Sequence, residues 1–520
     1  MQRDDPQVLT EARLATESTN KRFGFTKHRF RTFAWSYAFL LTLLSRIWTV
    51  KDPGPADSEL FAYIGREWIR GIIPYKQIWE DKPPGIFAVN ALAAVFHKQF
   101  IALAAFEFVA LFATILLIHR ILSELQCASL AKWTAPFVAA SILSIPYYTP
   151  GGNQTEIYIL PFAACCIYSF LRATRNAALS PSWLILTGLC AGIAGIFKPI
   201  GIASLLAITL VLCVDLSRSL LSRLAAVALT WTACLAVWGI AVAYFAPYGA
   251  VREMANATLF YNLQYAAAIH HPILESIFLM VDRLSVVGSI LGCAIAWFLF
   301  WLWPNIRRAI PPFFNTRQRS AALLLFLWLA ADLCGARAAD KYYAHYFLPS
   351  LLSLIVISCL SIDVLAKLIS SIKHSQLLIY IVLIPIGIAG LKGQIDYFHS
   401  ASRNPPDEWK QAGLFIRDHK SPSDVTFTWG FRPGVYRIAD SHTLTRWADA
   451  HYIDDFPGAY KSIGSELISE LKTSPPNFIV YDCNVSPLDQ RDTVRIQFLQ
   501  LLESNYRLVY RTGRTCVSER

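Results

Sequence analysis

The chain has 520 residues, 55% of them hydrophobic and only 16% charged, against about 45–50% and about 25% in ordinary soluble domains. This excludes a soluble enzyme of several domains, and the 13% of aromatic residues excludes a disordered chain. The net charge is +11, yet residues 401–520 carry 15 basic and 15 acidic side chains. The excess therefore lies in the apolar part, where it reads as membrane-flanking Lys and Arg and not as nucleic-acid binding.

A bilayer core about 30 Å thick takes about 20 mostly apolar residues per helix. In chain order, the runs 33–50, 100–122, 129–148, 156–173, 183–197, 199–215, 224–246, 277–303, 321–336, 346–366 and 376–392 predict about eleven spans. Lys198-Pro199 splits the fifth run from the sixth, because Pro breaks the helix ladder. The polar stretch 1–32 precedes the first span and shows no signal-peptide pattern. It carries Lys21, Arg22, Lys27, Arg29 and Arg31, and positive-inside logic places it in the cytoplasm. Alternate loops agree, with Arg172 and Arg175, Arg218 and Arg223, Arg307, Arg308, Arg317 and Arg319, and Lys367 and Lys373. Eleven spans then put the C-terminus on the outer face.

The loop 51–99 is too polar to span. It predicts two helices, about 57–70 and 84–97, around Gly71 and Pro74. Asp57, Phe61, Ile64 and Trp68 share one helical face. The expectation is a pair of helices in the interface plane, with Trp at headgroup level.

Beyond about His399 the pattern changes. Asp424–Gly430, Asn477–Asp482 and Tyr506–Tyr510 read as strands, and 460–472 and 492–504 as helices. Strands alternating with helices imply a small α/β domain over 399–520, after a membrane domain over 33–398. Nine of the eleven cysteines fall in or beside apolar runs and read as small buried hydrophobes; Cys483 and Cys516 do not. If the C-terminal domain lies in an oxidising compartment, that pair is a possible disulfide between adjacent strands.

Polar residues gather in the outer loops. The first group is Asp57-Ser-Glu59, Gly71-Ile-Ile-Pro-Tyr75 and Trp79-Glu-Asp81-Lys82-Pro-Pro-Gly85. Asp57 suits a helix N-cap as well as chemistry. Lys82 stands before a Pro-led helix start, where two positive elements together suit a phosphate. It also suits a side chain snorkelling to headgroups. The second group ends in Asn153-Gln-Thr-Glu156, formally a glycosylation sequon, with Glu156 opening a span. The third is Asp340-Lys341-Tyr342-Tyr343-Ala-His345-Tyr346. The Lys198 turn and the loop with Arg252, His270 and His271 fall on the same side. Ionisable residues beside spans mark a functional site.

These motifs carry a resemblance. An Asp opening the first outer loop, then G-x-x-P-Y, then W-x-D-K-P-P-G, resembles the bacterial relatives of dolichyl-phosphate-mannose protein mannosyltransferases. The lipid A aminoarabinose transferases belong to the same GT-C membrane glycosyltransferase class. Lys341–Pro349 is similar to a late outer-loop motif of those proteins, and Trp429-Gly430 with Pro433-Gly-Val-Tyr436 to the start of their C-terminal outer domain. The implied fold class is a polytopic α-helical membrane protein of GT-C type, with a small α/β outer domain. The implied function is inverting transfer of a sugar from a polyprenyl-phosphate donor, lying in membrane lipid, to an envelope acceptor.

The resemblance implies Asp57 as catalytic base, Asp81 and Lys82 at the carrier phosphate, and Glu156 nearby. Glu59, Lys341, Tyr342, His345 and Tyr346 join the expected substrate site. Many relatives have adjacent Asp-Glu where this chain has Asp57-Ser-Glu59. The D-x-E spacing resembles a metal-binding D-x-D, so Asp57 and Glu59 leave a divalent cation such as Mg²⁺, Mn²⁺ or Ca²⁺ open, with no cofactor assigned. The chemistry agrees: displacement at a sugar C1 needs a base for the acceptor and a cation for the departing phosphate. A transporter or flippase of lipid-linked sugars is the rival, but no second copy of the 51–99 pattern supplies the repeats expected of one.

Overall fold

The computed structural model describes residues 29–51, 56–127, 129–267, 271–288, 290, 292, 295, 316–338, 340–368, 375–403, 407–451, 453, 461–487 and 492–520. Lys21, Arg22, Lys27, His270, Arg307, Arg308, Lys373 and part of the expected span 277–303, chiefly 296–303, lie outside these residues.

The protein is mostly helical. Five helical segments among the described residues are long and apolar enough to cross a membrane: Gln99–Glu124, Thr155–Ala173, Leu220–Tyr248, Ala321–Ala338 and Ala344–Val364. Shorter apolar helices accompany them, including Pro181–Gly195 and Pro199–Val214. Lys198 stands between those two in extended conformation, and a 3-10 turn, Pro199–Ile202, follows it. The run 129–148 ends its helix early, at Leu143, because Pro146 follows and the residue before a Pro resists helical geometry. The last helix of this region, Ser375–Arg403, outruns its apolar stretch by a polar extension.

The two helices of the first loop are Ala56–Ile69 and Pro84–Ala94. Pro83 and Pro84 start the second, with no side-chain cap. They cross so closely that a Cβ on Gly65 would collide with the Asn90 backbone. The first does not lie on a surface by one face. Leu60, Phe61, Ala62, Tyr63 and Ile64 are all buried, and so are Ser58, Glu59 and Glu67. Trp68 donates its indole N–H to Tyr244 at 2.8 Å. The helical periodicity of the apolar residues missed this burial because the other faces are covered by the C-terminal region.

That region holds a four-stranded sheet in the order β1-β2-β4-β3. The strands are β1 (Thr426–Trp429), β2 (Phe478–Asp482), β3 (Arg507–Thr512) and β4 (Thr515–Glu519). β1 runs parallel to β2, while β4 pairs antiparallel with both β2 and β3. Along β2 the side chains alternate as a pleat requires. Phe478 and Val480 pack under helix Glu408–His419 with Ala412 and Ile416. Ile479 faces the core shared with Phe427, Leu467 and Phe498. Helices Lys461–Thr473 and Thr493–Asn505 cover that second face. Cys483 and Cys516 are disulfide-bonded, with Cα atoms 5.2 Å apart.

Candidate functional site

The site begins with a buried polar brace. Arg46 and Glu107 form an ion pair at 3.0 Å, almost wholly buried. Thr49 donates to the same carboxylate at 2.7 Å, and the Asn153 backbone N–H donates to its other oxygen. Gly152, at φ 78°, must be glycine twice over, since a Cβ there would also strike Thr49 and Glu107. Ser58 then donates to the Gly152 carbonyl at 2.7 Å, and Asn153 returns a bond to the Ser58 carbonyl at 3.0 Å. Asn153 also pairs with Asn90 at 2.9 Å. This side chain is fully buried, so it is a strut between three segments and not a glycosylation acceptor.

The brace fixes Asp57 on one side and Glu156 on the other. Asp57 is the second residue of its helix, inside the first turn. It takes no hydrogen bond or ion pair among the described residues, so it does not serve as the helix cap. Its charge is felt by Lys82, His345 and His451. Glu59, two residues on, leaves the helix on another face. There Arg437 grips it through two bonds, at 2.6 and 2.9 Å. Asp57 and Glu59, where the spacing leaves a divalent cation open, thus stand on diverging faces, because positions two apart diverge around a helix. Among the described residues no group of three or more His, Cys, Asp or Glu has a metal-binding arrangement.

Lys82 makes an ion pair with Asp81 and reaches Glu80 at 3.5 Å. Its backbone carbonyl accepts from the Tyr75 hydroxyl at 2.8 Å. Asn262 holds the Asp81 carbonyl at 2.9 Å, and the Gly85 N–H bonds Ile196 O at 2.8 Å, tying this turn to the Lys198 turn. Burial, and then the charge of Asp81, push Glu80 well above the usual carboxylate range. Burial alone would raise Asp81 too, but Lys82 beside it holds it at about 2. Burial disfavours the Lys82 ammonium; Asp81, Glu80 and Asp57 outweigh that and raise it well above its ordinary value.

Glu156 pairs with Lys198 at 2.7 Å, and the Lys198 ammonium lies 3.4 Å from the centre of the Tyr346 ring. Burial lowers Lys198, against the pull of Glu156. His345 stands within electrostatic reach of Glu156, Lys198, Asp57 and Lys82. The stretch 341–346 divides here. His345 and Tyr346 enter this cluster. Tyr342, in left-handed conformation at φ 48°, packs 5.6 Å from the His271 ring, where His271 and Asp340 approach to 3.2 Å. Lys341 is half-buried between the two groups in sequence.

The pattern of the loops gave no hint of one further residue. His451 comes from the C-terminal region, hydrogen-bonded to Asp449 and stacked 4.2 Å from Phe431. Burial would lower it, yet Asp449, with Glu80 and Asp57, raises it to about 9. The only trace in the sequence is the Asp449-Ala-His451 spacing. The same segment meets the first loop where Trp79 N–H bonds Arg446 O at 2.9 Å and the Trp79 and Trp447 rings lie 4.9 Å apart. The assembled cluster pairs a carboxylate free to accept a proton with ammonium groups able to hold an oxyanion.

No family model matches the chain, and no curated protein matches it significantly. Solved structures do. ArnT from Cupriavidus metallidurans in the apo state aligns over 96% of this chain and 98% of its own, at 13% identity and a TM-score of 0.56. The same protein bound to undecaprenyl phosphate aligns over 95% and 98%, at 14% identity and a TM-score of 0.56. A mycobacterial arabinofuranosyltransferase, AftD, aligns over 94% of this chain and 41% of its own, at 13% identity and a TM-score of 0.46. The resemblance to bacterial GT-C membrane glycosyltransferases that the loop motifs carry is thus met, along almost the whole chain, by the fold of ArnT.

Proposed function

We propose that the protein is an inverting glycosyltransferase that moves a sugar from a polyprenyl-phosphate donor to a cell-envelope acceptor. Asp57 takes the proton of the acceptor hydroxyl. The acceptor oxygen then bonds to the sugar C1 as the bond from C1 to the phosphate oxygen breaks. The phosphate leaves with the electron pair, held by Lys82, with Asp81 keeping that lysine charged and placed. Glu156, Lys198, His345 and Tyr346 line the sugar side, with Lys341 and Tyr342 at its margin. The observation that carries the reading is that Asp57, without a hydrogen bond or ion pair among the described residues, stands within electrostatic reach of Lys82 in a chain that has ArnT's fold. That ArnT has been solved with undecaprenyl phosphate supports the donor class.

In this reading the membrane domain covers 33–398, with about eleven spans, a cytoplasmic tail at 1–32 and an outer domain at 399–520. The Cys483–Cys516 bridge supports an oxidising compartment for the last part. The test is Asp57→Asn in reconstituted transfer from a polyprenyl-phosphate sugar. Asn keeps the size and removes the base. Expression should be normal and turnover should fall about 10²–10⁴-fold, the range for a lost general base. Transfer near the wild-type rate would send the search for the base to Glu156 or Asp81.

A further inference from the structure

The helices carry a second polar feature at the end remote from this site. Helix 29–45, helix Gln99–Glu124 and helix Ser129–Leu143 meet through Trp35 on Phe112 and Tyr37 on Phe137. Between them lies a cleft of about 370 Å³ lined by Arg31, Trp35, Leu116, His119, Arg120 and Trp133. Glu107, in the brace under the functional site, and His119 share one helix. At 1.5 Å per residue they stand roughly 18 Å apart along its axis.

Among the described residues the cleft gathers positive charge without a counter-charge. Arg31, Arg120 and Lys132 all act on His119. None of the three cations has a carboxylate partner among the described residues. Glu124, further along the same helix, is engaged by Arg172 at 3.3 Å. Trp35 stands edge-on to His119, with ring centres 5.5 Å apart, and Trp133 closes the other wall. Uncompensated cations beside a low-dielectric bundle repel one another strongly. They persist where an anion completes the set. Trp marks the level of lipid headgroups, and basic recesses between membrane helices suit anionic headgroups.

We propose that this cleft binds the phosphate of an anionic phospholipid headgroup, with Arg31 and Arg120 on the phosphate oxygens and the two Trp rings flanking the glycerol backbone. Guanidinium groups match phosphate geometry in pairs. The site is separate from the transfer chemistry, because it lies roughly 18 Å along the helix from Glu107, which braces the loop bearing Asp57.

The test uses the full-length protein in nanodiscs of phosphatidylcholine, with or without phosphatidylglycerol. Native mass spectrometry should show retained phosphatidylglycerol, and the anionic lipid should raise the melting temperature. Each basic residue near an anionic lipid is worth about fivefold in binding, so Arg31→Gln with Arg120→Gln should weaken retention about 25-fold. Arg31→Lys with Arg120→Lys keeps the charge and should keep most of the binding. Each single Gln variant should lose about fivefold, which gives a reading should the double variant not fold. Equal retention by wild type and the Gln variants would overturn the site. An equal rise in melting temperature from inorganic phosphate alone would overturn the lipid as its source.

Discussion

Lys82 and His451 both feel the charge of Asp57, and they make different predictions. Lys82 is held charged by Asp81 and Glu80, so it stays an ammonium through the alkaline range. A charge-assisted hydrogen bond is worth about 1.5–3 kcal/mol. Lys82→Ala should therefore weaken use of a polyprenyl-phosphate donor by about tenfold or more, read as KM for the donor on the folded fraction. A donor KM unchanged by the substitution would leave Lys82 as a headgroup anchor. His451 titrates within reach. Its folded value of about 9 stands above an unfolded value of about 6.5. The stabilisation from its charge is thus fully present below about pH 6.5 and is lost as pH rises through about 9. The gap in melting temperature between wild type and His451→Gln should be widest in acid and should close in alkali. Asp57, Glu80 and Asp81 of the first loop and Asp449 of its own segment are the charges that face it.

Among elements, the first loop helix is joined to the C-terminal region by a buried ion pair and a ring stack. Glu59, 2% exposed, is matched by Arg437, and the rings of Tyr63 and Tyr436 stack at 4.5 Å. Removing Arg437 leaves a buried carboxylate alone, which costs about 1–3 kcal/mol. Arg437→Gln should lower the midpoint of denaturant unfolding, and Glu59→Gln on top of it should recover part of the loss. No recovery would mean that the ion pair does not hold the join. The sequence made some of this legible and hid the rest. Apolar runs placed the helices, because burial in lipid demands continuous hydrophobicity. The Pro83-Pro84 start and the Lys198-Pro199 break were legible because Pro acts locally. The pairing of Glu59 with Arg437 stayed hidden because the partner is 378 residues away, a distance over which local pattern carries nothing. Tyr342 was placed with its neighbour His345, although left-handed backbone at Asp340 and Tyr342 turns the chain between them. The strand β4 and the helix Glu408–His419 escaped because each is half-polar and short.

For the whole molecule the testable quantity is sidedness. The Lys and Arg asymmetry and the disulfide together predict an outer C-terminus. Reporter fusions after Tyr397 should be active only outside the cytoplasm; activity only inside would overturn the arrangement. The reach of the resemblance follows from scale as well. A few loop motifs sufficed because the site uses segments whose order along the chain is fixed by the membrane crossings. The position of the cluster, built from residues 57, 82, 156, 198, 345 and 451, becomes visible only when the helices are packed.

The Glu59–Arg437 bond also sets a clock on biosynthesis. The loop that bears Asp57 leaves the ribosome first, and the arginine that seats it follows 378 residues later. At about 5–20 residues per second, that interval is on the order of 20–75 s. Through it the nascent loop carries Glu59 without its counter-ion and Tyr63 without its stacking partner. The unfinished chain thus holds Lys82 and Asp57 before it holds the wall that packs against their loop, and under the proposed function its catalytic competence would arrive only with the C-terminal segment.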